Sequence, residues 1–270
     1  MTIGNRSIIK IVKAPFQKVH WVAFYNMIFI YKKFPSVFYR YFFAKGKYPY
    51  EVILQIKAVK QKLSIMTYCH DDILTVNEIF CRKDYSVDKN IKIVVDIGSN
   101  IGISALYFLT LNNYSYCYLY EPVSENIVKL KNNLKGYESR YNVNEIAVYD
   151  KTATLDFGVE PTGRYGGIDV VSNKTIKVDC ININDVLVNV LEKHEYIDIL
   201  KIDTEGTEIQ TVQSIKSKYL NKIKNIYIEA HPKTFLLDNS KFVQVQYGTV
   251  CKITNQTFKS LYRDKINLTL

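Results

Sequence analysis

Cysteine is scarce and scattered. The five residues, Cys69, Cys81, Cys117, Cys180 and Cys251, are odd in number and contain no Cys-x-x-Cys pair. That pattern supports neither a structural zinc site nor a disulfide framework, and it fits a chain kept in a reducing, cytoplasmic compartment. Glycine (11) and proline (6) are few in 270 residues, which excludes collagen-like and low-complexity chains. Long apolar runs are missing too. The longest, Val19 to Tyr31, is interrupted by His20 and Asn26. As a helix it would rise about 20 Å, short of a hydrocarbon core of roughly 30 Å. The start lacks the basic, apolar and small-residue regions of a signal peptide in their usual order. Acid is absent from the first fifty residues, Glu51 being the first.

What is present is basic. Lys and Arg number 36 against 26 Asp and Glu, a formal net charge of +10. Nine of the bases (Arg6, Lys10, Lys13, Lys18, Lys32, Lys33, Arg40, Lys45 and Lys47) precede the first acid, which leaves 27 bases facing the 26 acids. The positive charge therefore belongs to an arm, and the body is nearly neutral. At 47% hydrophobic, the chain has ample material for a core and fits one domain with an extension.

Three segments are expected: a basic aromatic arm over 1–49, an α/β lead-in over 50–90 and the main domain over 91–270. The arm predicts helices over 16–32 and 35–44, with Pro35 suited to a first turn. Residues 50–56 and 62–68 read as paired strands, 70–72 as a turn and 74–80 as a short helix. Beyond Ile91 short β-branched runs alternate with helical stretches, the pattern of βα units around a parallel sheet. Strands are expected at 91–97, 116–120, 143–148, 197–202, 224–229 and 248–253, and helices at 101–111, 124–134 and 208–218. Residues 152–157 and 175–178 read as antiparallel edge pieces around the glycine-rich loop Gly163 to Gly167.

The most informative run is Val94-Val95-Asp96-Ile97-Gly98-Ser99-Asn100-Ile101-Gly102. A buried strand ends in an acid, then a glycine-bearing turn opens a helix, the place where open α/β sheets hold ligands. Gly98 and Gly102 have no Cβ to keep a ligand off the backbone. The spacing is not the dinucleotide pattern GxGxxG, and Asp96 suits a cationic or hydrogen-bond-donating group better than a phosphate. Glu121, ahead of Pro122 at the end of the next strand, can accept hydrogen bonds from a ribose diol, as in NAD and S-adenosylmethionine sites. A loop carboxylate capping the helix near Ser124 is the plainer alternative.

Four segments, Asp96 to Gly102, Tyr120-Glu121-Pro122, Leu200-Lys201-Ile202-Asp203-Thr204-Glu205-Gly206 and Ile228-Glu229-Ala230-His231, resemble in order and spacing the motifs of the FkbM-type S-adenosylmethionine-dependent methyltransferases. The resemblance covers roughly 70–235. Thr204 and Thr207 depart from the apolar or aromatic residues frequent there. The resemblance implies a Rossmann-like class I methyltransferase sheet with helices on both faces. The implied reaction is O-methylation of a hydroxyl on a glycan, glycolipid or related metabolite. By the same resemblance Asp96, Gly98, Ser99, Asn100, Gly102, Glu121 and Pro122 hold S-adenosylmethionine, and Ile146 and Ala147 border its adenine, with ordinary core packing open for those two. Asp203 is implied as general base or as ligand of a divalent metal ion. Lys201 fastens a carboxylate or orients the acceptor, Glu205 opens the following helix, and His231 is an alternative base. Helix capping remains open for Glu205 and Glu208, as does a plain loop position for His231.

An NAD-type oxidoreductase is the competing enzyme, disfavoured by the missing third glycine. A non-catalytic adaptor on the same fold is the competing class. For the arm three partners stay open: an anionic membrane at its inner face, the body or a second subunit of a homo-oligomer, and single-stranded nucleic acid. Nucleic acid ranks last because the body has no basic stripe of its own.

Overall fold

The computed structural model describes residues 2–3, 6–7, 18–56, 61–159, 166–168 and 175–258. A two-residue ladder joins Thr2–Ile3 to Arg6–Ser7. Helices α1 (Lys18–Ile30) and α2 (Phe34–Phe43) follow, with Pro35 in the first turn of α2 and Ala44 closing it in the left-handed region. The hairpin β1 (Tyr50–Ile56) and β2 (Gln61–Thr67) buries Val52, Leu54, Leu63 and Ile65 on one face.

Next comes α3 (His70–Val76), continued by a π-helical turn over Asn77–Arg82. Residues 70–72 are thus the first turn of a helix, not a free turn. The Asp72 carboxylate accepts from the Tyr68 and Cys69 N–H groups at 2.6 and 3.1 Å, and an acid is favoured at a helix start.

The central sheet has seven strands. In chain order they are β3 (Ile93–Ile97), β4 (Tyr116–Tyr120), β5 (Tyr141–Asn144), β10 (Ile197–Ile202), β11 (Ile223–Ile228), β12 (Phe242–Tyr247) and β13 (Val250–Asn255). In space the order is β12-β13-β11-β10-β3-β4-β5, parallel except for β13, which pairs antiparallel with both β11 and β12. Helices α4 (Ile103–Thr110), α5 (Ser124–Asn133), α6 (Ile183–Leu191), α7 (Glu208–Gln213) and α8 (Ser217–Leu220) connect and cover it. Apolar side chains pack on both faces. One cluster joins Val94 and Phe108 to Met27, Tyr31 and Val37 of the arm, and the other joins Val95 and Ile202 to Val186 and Val190 of α6. β10 is buried along its whole length, as a central parallel strand should be.

Strand 143–148 is not continuous. β5 stops at Asn144 in the main sheet, and β6 (Ala147–Tyr149) joins a second sheet of order β8-β7-β9-β6. That sheet also contains β7 (Ala153–Val159), β8 (Gly166–Ile168) and β9 (Thr175–Asn182). Of the Gly163–Gly167 loop, only Gly166 and Gly167 fall among the described residues. The helix expected over 208–218 breaks between α7 and α8. There the Asn184 side chain donates to Ser214 O and accepts from Lys216 N, taking over bonds a continuous helix would make itself.

The N-terminal helices are anchored. Asn26 Nδ2 donates to Cys81 O at 2.6 Å, and Lys32 N donates to Ile53 O at 3.0 Å. Asn133 of α5 pins the β1–β2 hairpin through Met66 N and reaches Ile101 O. No helix among the described residues is long and apolar enough to cross a membrane.

Candidate active site

Two adjoining cavities open at the carboxyl ends of β3, β4, β10 and β11. The larger, about 130 Å³, is walled by Gly98, Asn100, Lys201, Asp203, Glu205 and Glu229, and by Glu78, Asp84 and Tyr85 of the lead-in. The smaller, about 50 Å³, is walled by Glu121, Pro122, Asn126, Ile146, Ala147 and Phe157. Gly98, Asn100, Asp203 and Glu205 line both.

The glycine turn is held against the β10 motif by backbone packing. Gly98 sits at φ 74°, and a Cβ on it would lie 1.8 Å from the Asp203 carbonyl oxygen. No side chain fits there. Gly102 does a different job from the one expected. It lines neither cavity, adopts φ 83° ahead of α4, and lets Leu130 of α5 approach where a Cβ would stand 3.0 Å from Leu130 Cγ.

Asp96 also departs from expectation. It is fully buried and faces protein, not the cavities. Its carboxylate accepts from Lys201 Nζ at 2.9 Å and from Ser104 Oγ at 2.6 Å. Lys201 is buried as well, donates to Gly98 O at 3.0 Å and lies 3.4 Å from Asp203 Oδ2. Burial alone would pull this ammonium down. Asp96 and then Asp203 outweigh it and hold Lys201 charged, with its value raised. Ser99 is buried too, with its hydroxyl donating to Asp96 O and accepting from Tyr120 N. Asp96 with Lys201 and Ser99 forms a buried brace under the turn, because a strand interior beneath two covering layers has no water to solvate an unpaired acid, while Ser99 and Lys201 also line the larger cavity.

Glu121 is buried at the end of β4. Oε2 accepts from Asn100 N at 2.9 Å, while Oε1 accepts from Val123 N and Asn126 Nδ2 at 3.0 and 3.2 Å. Of the roughly four lone-pair positions on a carboxylate, three are used by the chain itself. Burial raises this carboxyl and those three hydrogen bonds oppose the rise. Pro122, Ile146 and Ala147 line the same cavity, the last two because the chain crosses there from the central to the second sheet.

Around the larger cavity the charge is negative. Asp203, Glu205, Glu229, Glu78 and Asp84 contribute carboxylates, and Lys201 is the one cation among the described residues lining it. Glu78 and Asp84 are held by Arg82, which lies 3.4 Å from Glu78 and bridges both oxygens of Asp84. Asp203 beside it, followed by burial and by Glu78, pushes the Glu229 carboxyl up to about 8, against the pull of Lys201. Glu229 is exposed on its outer side, and the like charge of Asp203 is the first cause of its shift.

Glu205 does not open a helix. It occupies a left-handed turn at φ 54°, and α7 begins at Glu208. Glu208, the first residue of α7, ties the preceding turn to the helix by accepting from Thr204 N at 2.9 Å and from Gly206 N at 3.0 Å, and caps no N–H of the helix itself. His231 is exposed and lines neither cavity, because the chain bends at Glu229–Ala230 as it leaves β11. Glu229, to which the motif Ile228-Glu229-Ala230-His231 gave no role of its own, takes the place at the strand end. Its position past Ile228 is where the strand-end rule puts ligand-facing groups. Glu78 and Tyr85 had no such signal, since the lead-in reaches the cavity only through folding. Among the described residues no group of three or more His, Cys, Asp or Glu side chains has the geometry to hold a metal ion.

Sheet order, glycine turn and strand-end acids together define the Rossmann-like fold of class I methyltransferases. The model of the methyltransferase FkbM domain matches residues 96–245, more than half of the chain. The chain belongs to that family. No curated protein matches it. Among solved structures it is similar to the methyltransferase FkbM from Methylobacillus flagellatus, at 16% identity and a TM-score of 0.40. That alignment covers 68% of this chain and 54% of the other, so the chain spans about half the length of that relative. A putative caffeoyl-CoA O-methyltransferase from Staphylococcus aureus aligns at 13% identity and a TM-score of 0.38, covering 67% of this chain and 80% of that one. TrmK from M. capricolum, solved with S-adenosyl-homocysteine, aligns at 13% identity and a TM-score of 0.36, covering 67% and 68%.

Proposed function

We propose that the chain transfers the methyl group of S-adenosylmethionine to a hydroxyl of a glycan, glycolipid or related metabolite. The observation that carries this reading is that Gly98, Asn100, Asp203 and Glu205 line both cavities. One elongated ligand anchored at Glu121 therefore ends beside the acid cluster. The chemistry of the walls fits the cofactor. Pro122, Ile146, Ala147 and Phe157 offer an apolar slot for a base, Glu121 keeps an acceptor for a ribose hydroxyl, and the carboxylates of the larger cavity suit a cationic centre. The same carboxylates would repel a pyrophosphate, which counts against a dinucleotide.

When bound, the cofactor supplies an electrophilic methyl group on a cationic sulfur. The chain's own residues then have two tasks. The first is to hold the acceptor oxygen in line with that methyl, where most of the rate gain of such a transfer arises. The second is to take the hydroxyl proton. The Asp203–Glu229 pair suits the second task, because one carboxyl poised near neutral pH both accepts and releases a proton. Lys201 keeps the pair from excess negative charge.

The test is ligand-specific stabilisation. A ligand of the native state raises the melting temperature, so S-adenosylhomocysteine should raise it and NADH should not. Labelled S-adenosylmethionine incubated with glycan and lipid extracts should then label a base-stable methyl ether. Stabilisation by NADH alone would overturn the reading.

A further inference from the structure

We propose that the N-terminal helices dock the protein on an anionic lipid bilayer, with Trp21, Tyr25 and Phe29 of α1 entering the interface. α1 is apolar on both sides. Ala23 and Met27 are buried against the body, whereas Trp21, Tyr25 and Phe29 are 59%, 63% and 49% exposed. Those three stand four residues apart and form one stripe along the outer face of the helix. Val22 and Ile28 are exposed beside them, and Tyr39 and Phe43 continue the surface on α2. A helix apolar all round is normally enclosed. This one presents half its wall to the outside.

The surroundings of the stripe select the occupant. Lys32 and Lys33 follow the end of α1, Lys45 and Lys47 follow α2, and all four are exposed. No acid occurs before Glu51. A second copy of the same surface would bring lysines against lysines. Anionic headgroups complement them, at about 1 kcal/mol per basic residue near the surface. Tryptophan and tyrosine favour the interface because each joins an apolar ring to a polar tip. Single-stranded nucleic acid is the poorer match, since Val22 and Ile28 offer a base nothing to stack on and the lysines flank the stripe without alternating with it. α1 is too short to span, so the docking is peripheral.

The surface is tied to the body and to α2. Asn26 is tied to Cys81 O, and the rings of Phe24, Phe34 and Phe38 pack at 5.5–5.9 Å between α1 and α2. Cys81 belongs to the π-helical turn that also carries Glu78 and Ile79 of the larger cavity. The docked helix is therefore one layer from the candidate acceptor site, a placement that favours an acceptor carried by the membrane.

Trp21 is the single tryptophan and reports on its own surroundings. The full chain is mixed with phosphatidylcholine vesicles containing or lacking phosphatidylserine. Expected are flotation with the phosphatidylserine vesicles, a blue shift of Trp21 emission on binding, and loss of both at high salt. Replacing Tyr25 and Phe29 by serine should abolish flotation while leaving the melting temperature and its rise with S-adenosylhomocysteine unchanged. Lys32→Gln with Lys33→Gln should weaken binding on the order of 30-fold at low salt. No flotation with a folded chain overturns the proposal, as does equal binding to both vesicle types. So does a Trp21 emission already blue-shifted in concentration-dependent dimers, or binding to single-stranded RNA without binding to vesicles. Vesicle binding does not depend on the methyl-transfer reading, so the two fail separately.

Discussion

Lys201 Nζ lies 2.9 Å from Asp96 Oδ1, and both side chains are shut off from solvent beneath the glycine turn. Two adjacent parallel strands thus present one charge each, in register, since Lys201 of β10 pairs directly with Asp96 of β3. Removing one partner leaves a bare buried charge. Lys201→Met should therefore cost about 3–5 kcal/mol in denaturant unfolding. The double variant Asp96→Leu with Lys201→Met should recover much of that loss. If the single variant is as stable as the parent, the brace carries no weight.

The contact of Gly98 with Asp203 makes a sharper steric prediction. Gly98→Ala puts a carbon 1.8 Å from a backbone oxygen, so one of the two motif turns must move. Calorimetry should find S-adenosylhomocysteine binding lost along with stability. Gly206→Ala is the control. Its φ is also positive, at 111°, but nothing lies within 4 Å of a Cβ there. That variant should show only the backbone cost, about 1–2 kcal/mol, with binding retained.

Glu121→Ala removes the acceptor of Asn100 N, Val123 N and Asn126 Nδ2 as well as the proposed ribose contact. Hydrogen bonds to a charged group contribute about 1.5–3 kcal/mol, so S-adenosylhomocysteine affinity should fall by about 10–100-fold. Unchanged affinity would remove Glu121 from the cofactor site.

The Glu229 carboxyl gives a pH signature. Its folded value of about 8 lies above the ordinary 4.5. Between those pH values the native state holds a proton that the unfolded chain has released. Stability should therefore fall as pH rises through this window, and Glu229→Gln should flatten the slope. Methyl transfer should run the other way. Its rate rises toward pH 8 as the carboxylate forms, and that limb disappears in Glu229→Gln.

His231 should be dispensable. Removing a general base costs roughly 10²–10⁴-fold in rate, and His231→Ala should show none of that loss. A loss of that size would return the base to the loop after β11.

Much of this was written locally. The βα alternation predicts a parallel sheet, because β-branched runs and amphipathic stretches each have one way to bury their apolar sides. Gly98, Glu121 and Asp203 follow directly on the ends of β3, β4 and β10, where the strand-end rule looks, since that rule needs only strand boundaries, whereas Ile146 and Ala147 reach the cavity at a crossing between two sheets. Residue roles were less legible. Nothing in the motif separates Asp96, which faces inward to Lys201, from Asp203, which faces the cavity. Both are acids at or just past the ends of apolar strands. The split of 143–148 between two sheets, and the π-helical turn that brings Glu78 to the cavity, depend on partners distant in sequence.

The charge division along the chain is a property of the sequence alone. All nine bases of the first fifty residues precede the first acid, whatever the fold. Folding decided the rest. It buried one wall of α1 through Ala23 and Met27, exposed the other through Trp21 and Tyr25, and paired Asp96 with Lys201 across 105 residues. A linear pattern specifies which residues can hide from water. Which charge meets which, and which apolar face is left outside, follows only when the layers close.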